Sequence, residues 1–159
     1  MTADILSAHL PGDRVRPLLG AAEAADGIAA FSEAFVQGLD DGRVRHTHLI
    51  VEDSGEVIAC AGIAEDGSAE LVVHPQRRRE GVGEALAEAV REQRPDAGLW
   101  AHGNLAGAQA LAGKLGLTVD RELLVMGIAA EEIPAGGAEL PEGFEALDYA
   151  EAVSYTHLR

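Results

Sequence analysis

One stretch constrains the fold more than any other: Leu71-Val-Val-His-Pro-Gln-Arg-Arg-Arg-Glu-Gly-Val-Gly83. It begins as an apolar β-run and ends on the first residue of a helical stripe, Val82, Leu86, Ala89 and Val90. The hydrophobic period switches from a strand's to a helix's within a few residues, so a strand must feed a helix through this turn. Gly81 and Gly83 let a backbone pass close to a ligand. The free amides opening the helix favour phosphate. Arg77, Arg78 and Arg79 put three of the 12 basic residues side by side. Two readings stand on the turn alone: a cradle for a diphosphate, or a solvated basic turn before a helix.

Charge sharpens the contrast. Acidic residues number 27, the formal net charge is −15, and Lys114 is the sole lysine. Such a field repels nucleic acid and anionic membranes, and neither is expected as a partner. A polyanion can bind only where cations are concentrated. Hydrophobic residues make up 47% of 159, enough for one domain with a core, but aromatics are only 4%. The core must therefore be built from Ala, Val, Leu and Ile. Cys60 is the single cysteine, so no internal disulfide is expected and a reducing compartment is permitted. No apolar run approaches the length of a membrane span.

The remaining pattern orders as α-α-β-β-β-α-β-α-β. Arg14 to Ala25 and Ile28 to Leu39 read as helices, separated by Asp26-Gly27. His48 to Glu52 and Glu56 to Ala64 flank the turn Asp53-Ser54-Gly55 as an antiparallel hairpin. Ala69 to Val73 is a third strand. A helix from Val82 ends near Arg94-Pro95. Leu99 to Ala101 reads as a short buried strand, Leu105 to Leu115 as a helix capped by Gly116, and Glu122 to Ile128 as a final strand. These elements make residues 1–130 one domain. Residues 131–143 hold Pro134, Gly136, Gly137 and Pro141 and read as a linker. Residues 144–159 read as the truncated start of a second domain with a non-native-looking tail.

Arg78-x-x-Gly81-x-Gly83, preceded by Val73-His74-Pro75, resembles the acetyl-CoA signature of the GNAT acetyltransferase superfamily. The element order is similar to that superfamily's. Ala69 to Gln76, Leu99-Trp-Ala-His-Gly103, Leu115-Gly-Leu117, Arg121 to Met126 and Ala25 to Ile28 resemble the first half of a two-half branch of it. The likeness runs from Val15 to Ile128, and Pro141 to Phe144 looks like the opening of the second half. The resemblance implies an α/β fold: a GNAT-like mixed, mostly antiparallel sheet flanked by helices. It implies acetyl-CoA as acetyl donor, no metal, and a cytoplasmic N-acetyltransferase acting on a small-molecule amine. In that branch the acceptor is the cysteinyl amine of a cysteinyl-glucosaminyl-inositol, and catalysis is assigned to the second half, missing here. This chain is then expected to bind acetyl-CoA without catalysing. The alternatives are a purely structural module, or a stand-alone acetyltransferase for another small amine or a protein N-terminus.

By position, the resemblance gives Leu71, Val72 and Val73 to the pantetheine arm through their backbones. It gives Arg78, Arg79, Glu80, Gly81, Val82, Gly83 and Glu84 to the pyrophosphate. Glu80 departs from the family's basic or small residue and should weaken binding unless it turns away. Glu33 on the second helix is a candidate partner for a cationic acceptor amine, or a plain exposed acid. No catalytic residue is assigned. The family's Tyr acid falls on Ala112 and its Glu base on Gly67. Glu70 reads as a solvent-facing strand residue, less often as a base. His74 and His102 read as structural, Cys60 as a small buried hydrophobe, Trp100 as core and Asn104 as a helix N-cap.

Overall fold

In the computed structural model, residues 4–9, 11–124, 126–132 and 140–143 are described. The chain divides into compact units at 1–119 and 120–159. The first holds a five-stranded sheet. Its strands are β1 (Ile5–Ala8), β2 (Thr47–Asp53), β3 (Glu56–Ile63), β4 (Ser68–Val73) and β5 (Gly98–Trp100), in that spatial order. Neighbours are antiparallel except β4 and β5, which run parallel. Helices α1 (Gly12–Asp26) and α2 (Glu33–Gly38) follow β1, α3 (Val82–Gln93) follows β4, and α4 (Ala106–Lys114) follows β5. This is the expected mixed, mostly antiparallel sheet with flanking helices.

Local chemistry explains most of it. The β2–β3 hairpin closes through Ser54 (φ 53°) and Gly55 (φ 85°), two left-handed residues whose twist matches the strands they join. Helix α4 ends as anticipated: Gly116 (φ 65°) sends its N–H to Gly113, and the Leu117 N–H reaches back to Ala112 at 2.9 Å. The sheet is covered on both faces, so β2 and β3 carry runs of buried residues rather than clean alternation. Val15, Leu18, Phe31, Phe35 and Leu39 pack on Ile50, Cys60 and Val72. Val82, Leu86 and Val90 pack on Leu49, Val51, Ala59, Ala61 and Ala69.

Four elements differ from the sequence reading. Strand β1 was not anticipated; at four residues, with only Ile5 and Ala8 turned partly inward, its pattern is too short to register. Helix α2 begins at Glu33 instead of Ile28, because the Ser32 N–H is drawn to the Glu70 carboxylate at 2.8 Å. Phe31 still reaches the core from that irregular connection. Strand β5 is half-buried rather than buried, as befits a three-residue edge. The expected strand Glu122–Ile128 is irregular over its described residues, with Leu123, Leu124, Met126 and Ile128 60–88% exposed. Apolar character does not make a strand without a ladder, and these residues have none. The expected start of a second domain at residues 144–159 lies outside the described residues. No described helix is long and apolar enough to cross a membrane.

Gly62 in β3 is held to glycine by packing. A Cβ there would sit 2.7 Å from Phe35 Cδ1, in the middle of the core. Gly62→Ala is therefore expected to cost about 1–3 kcal/mol of stability as Phe35 is forced aside. Urea denaturation of the two proteins checks it.

Candidate functional site

Strand β4 is paired unequally on its two edges. It pairs with β3 from Ala69 to Val73, but with β5 only from Ser68 to Glu70. Beyond Glu70 and Trp100 the two parallel strands part. The His74 N–H donates to Ile58 on β3 at 2.8 Å, which sets the alternation of the strand. The N–H and C=O of Leu71 and Val73 therefore face the open edge. Those of Val72 face β3, and its side chain is buried. The strand thus offers main-chain groups to a ligand while its side chains still build core.

The open edge leads into the turn. A 3-10 turn, Pro75–Arg77, is closed by the Arg77 N–H to His74 at 2.8 Å, with His74 Nδ1 accepting from the Gln76 N–H at 3.3 Å. Arg79 (φ 67°) and Gly81 (φ 84°) then adopt left-handed conformations. The next amide with a backbone partner is that of Ala85, donating to Gly81 at 3.0 Å. From Arg78 to Glu84 no backbone N–H donates to any acceptor among the described residues. Such a run beside a helix N-terminus suits an anion. Gly83 serves packing: its Cβ position is 3.4 Å from Val73 Cγ2 and 3.7 Å from Leu111 Cδ2.

The arginines do not form the positive island that the sequence suggests. Arg78 grips Asp26 at the end of α1 through two bonds of 2.7 Å, and its Nε donates to the Val73 carbonyl at 3.1 Å. Arg77 pairs with Asp53 and, at 3.0 Å, with Glu80. Both of these cations are answered by an acid distant in sequence. The Arg78 guanidinium holds the Asp26 carboxyl below its ordinary range, and Arg77 and the Ser54 hydroxyl do so for Asp53. Arg79 is exposed and has no ion pair among the described residues. The departure at Glu80 is thereby answered too, since its carboxylate is engaged by Arg77. Glu84 pairs with Lys114 and joins the first turn of α3 to the last turn of α4. Surface pairs of this kind add little stability, but the two-pronged Arg78–Asp26 clasp fixes the loop's position.

A second cluster stands at the fork. Glu70 is not solvent-facing: it is 3% exposed, on the sheet face covered by α1 and α2. Its Oε2 accepts from the Ser32 N–H at 2.8 Å, and its Oε1 lies 3.1 Å from His102 Nε2. A charge reads as exposed in a strand pattern, and only the crossing of the α1–α2 connection buries it. The other candidates fall apart from this site. Glu33 is exposed on the first turn of α2 and lines an open hollow with Arg16, Gln37 and Asp40. Trp100 is half-buried rather than core. Asn104 does not cap α4: it takes φ 50°, Leu105 holds the cap position, and Asn104 instead accepts from Gln109 Nε2 at 2.9 and 3.1 Å. Cys60 is fully buried, and burial pushes its thiol up to about 12, so it is inert. Gly67 turns with φ 88° and Ala112 is half-buried in α4; neither carries a proton. Among the described residues no group of three His, Cys, Asp or Glu is arranged to hold a metal ion.

Comparison with known proteins agrees with this geometry. Residues 44–116 match the acetyltransferase (GNAT) domain family. The mycothiol acetyltransferase of Corynebacterium glutamicum (strain R) is 43% identical over 136 residues, covering 85% of this chain and 45% of that protein. That of Mycolicibacterium smegmatis is 42% identical over 126 residues, covering 76% and 42%. The chain spans under half the length of these curated relatives. Among solved structures, a ribosomal-protein-alanine N-acetyltransferase from Brucella melitensis superposes with TM-score 0.57 at 17% identity, covering 79% of this chain and 99% of that one. An aminoglycoside N-acetyltransferase in complex with CoA gives 0.54 at 17% identity, covering 79% and 99%. At such identity the structures establish the fold.

Proposed function

Because this chain belongs to the GNAT acetyltransferase family, we propose that it is the acetyl-CoA-binding first half of a mycothiol synthase-type N-acetyltransferase. The whole protein would acetylate the cysteinyl amine of a cysteinyl-glucosaminyl-inositol in the cytoplasm, with a second GNAT half of the same chain as partner. One observation carries the reading: a run of unpaired amides from Arg78 to Glu84 continues directly into the open edge of β4. The amides receive the diphosphate. The edge at Leu71 and Val73 receives the amide groups of the pantetheine arm as a further strand would. The thioester then lies toward Glu70, where β4 and β5 meet. Arg79 adds the cation left over once Arg77 and Arg78 are matched by acids.

A second reading keeps the binding and removes turnover. It rests on Ala112 and Gly67, which stand where the family's acid and base are counted. Calorimetric titration with acetyl-CoA tests what both readings share. The expected result is a single saturable binding event on the folded chain. No heat at high micromolar ligand, with circular dichroism showing folded protein, would contradict it.

A further inference from the structure

The open edge of β4 offers the N–H and C=O of Leu71 and Val73, and one of these groups is already taken. Arg78 Nε donates to the Val73 carbonyl at 3.1 Å. Val73 stands opposite Ala59 on β3, but it is the next residue, His74, whose N–H reaches β3. The Val73 carbonyl therefore points to the open edge, and the guanidinium lies on that side. Its other end is held as well: Nη1 and Nη2 donate to Asp26 Oδ1 and Oδ2, both at 2.7 Å. Arg78 thus spans from the open edge of β4 to the last residue of α1. An acid at that place is at odds with its helix, whose C-terminal end carries negative partial charge. The last turn of α1 has no basic residue of its own, and the Asp26 side chain is only 14% exposed. Arg78 supplies the countercharge that the position lacks.

The clasp stands where two parts of the ligand go. On the acetyl-CoA reading above, on which this inference rests, the diphosphate settles on the amides beside Arg78 and the pantetheine arm pairs along Leu71 and Val73. With Arg78 closed on Asp26, the guanidinium fills the Val73 end of that edge, and an amide N–H of the arm has no carbonyl to meet there. We propose that Arg78 is a specificity-determining residue which, latched by Asp26, makes the seat of the pantetheine arm conditional on a diphosphate. The strengths of the competing contacts set the direction. A partly exposed ion pair shifts an equilibrium by about fivefold at most. A guanidinium bond to a diphosphate, which carries more charge than one carboxylate, is worth about tenfold or more. The diphosphate draws Arg78 off Asp26, which water then solvates. Nε leaves the Val73 carbonyl, and the edge opens for the arm. A thioester on a bare pantetheine arm brings no such charge and meets the latch closed. The site thus selects acyl donors that carry a diphosphate over the same thioester without one.

The test uses the whole chain with acetyl-CoA, S-acetylpantetheine and ADP as probes. Calorimetry reads acetyl-CoA, and 1H–15N shifts at Leu71 and Val73 read S-acetylpantetheine. In the wild-type chain, saturating ADP should tighten S-acetylpantetheine about fivefold, because the diphosphate opens the latch without being joined to the arm. Arg78→Met removes every donor of the latch. It should bind S-acetylpantetheine about fivefold more tightly than the wild type with no ADP present, and ADP should add nothing further. Asp26→Asn, which releases Arg78 but keeps its charge, should strengthen acetyl-CoA binding several-fold. A merely structural clasp would instead make both variants weaker for every probe. Acetyl-CoA binding with no effect of ADP on S-acetylpantetheine in the wild type would overturn the proposal and leave the binding reading standing. So would equal S-acetylpantetheine affinities in folded Arg78→Met and wild type, weaker acetyl-CoA binding by folded Asp26→Asn, or no response to S-acetylpantetheine in any of the proteins. Absence of acetyl-CoA binding by the wild-type chain would instead remove the reading beneath it, and the proposal with it.

Discussion

Gly81→Val is expected to weaken acetyl-CoA binding about a hundredfold while leaving the protein folded. Space is not the obstacle, since nothing lies within 4 Å of the Cβ position. Conformation is: Gly81 has φ 84°, where a β-branched residue is strained by about 1–2 kcal/mol. The chain escapes that strain by turning φ negative, which swings the peptides on either side. The amides flanking Gly81 are then reoriented. Losing about two amide bonds to a charged diphosphate costs about 3 kcal/mol, or roughly a factor of a hundred. Beyond the loop α3 stays anchored by Val82, Leu86 and Val90, so the fold should lose only the strain energy itself. Calorimetry on both proteins, with urea midpoints beside it, reads the two effects separately. Equal affinities would move the anion site away from these amides.

The second large effect is acid lability centred on His48. Its side chain is buried beneath the α1–α2 face, 2% exposed, and its Nε2 has no hydrogen-bond partner among the described residues. Burial, with His46 and His9 adding positive charge nearby, pushes it from 6.5 down to about 4. Burial lowers His46 as well, though Glu70 and Asp66 oppose that shift. The sign follows from proton counting. Between pH 6.5 and 4 the unfolded chain holds a proton on His48 that the folded chain does not, so stability falls as pH drops through that window. From pH 7 to 5 the loss from His48 is about 2 kcal/mol. Against a typical domain stability of about 5–15 kcal/mol that is a large share. His48→Leu keeps the volume and removes the titration. Urea midpoints at pH 7 and 5 should show that the variant loses about 2 kcal/mol less than the wild type over this interval. Equal losses would place the acid sensitivity elsewhere.

Most of the scaffold was legible because its signals are local. Asp53-Ser54-Gly55 marks the hairpin, Gly116 marks the end of α4, and the change of period at Val82 marks the strand-to-helix turn. What escaped depends on distant partners. The paired state of the arginines needs Asp53 and Asp26, which lie 24 and 52 residues from Arg77 and Arg78. The burial of Glu70 needs Ser32, 38 residues away, and the shortening of α2 is the same event seen from the other side. The apolar run at Leu123 to Ile128 has a strand's composition, but composition supplies no neighbouring ladder. The site is therefore where local reading fails. Its loop conformation was legible in part, in Gly81 but not in the left-handed Arg79, whereas its electrostatics are set by contacts across the fold.

The central claim is that acetyl-CoA lies along the amides of the turn and the open edge of β4. Backbone amide shifts measured by 1H–15N correlation spectra during an acetyl-CoA titration test it most directly. The account predicts saturable changes at Arg79 to Glu84 and at Leu71 and Val73, with little at the α2 hollow around Glu33, Gln37 and Asp40. Saturable changes at that hollow, with the turn and strand unmoved, would contradict it.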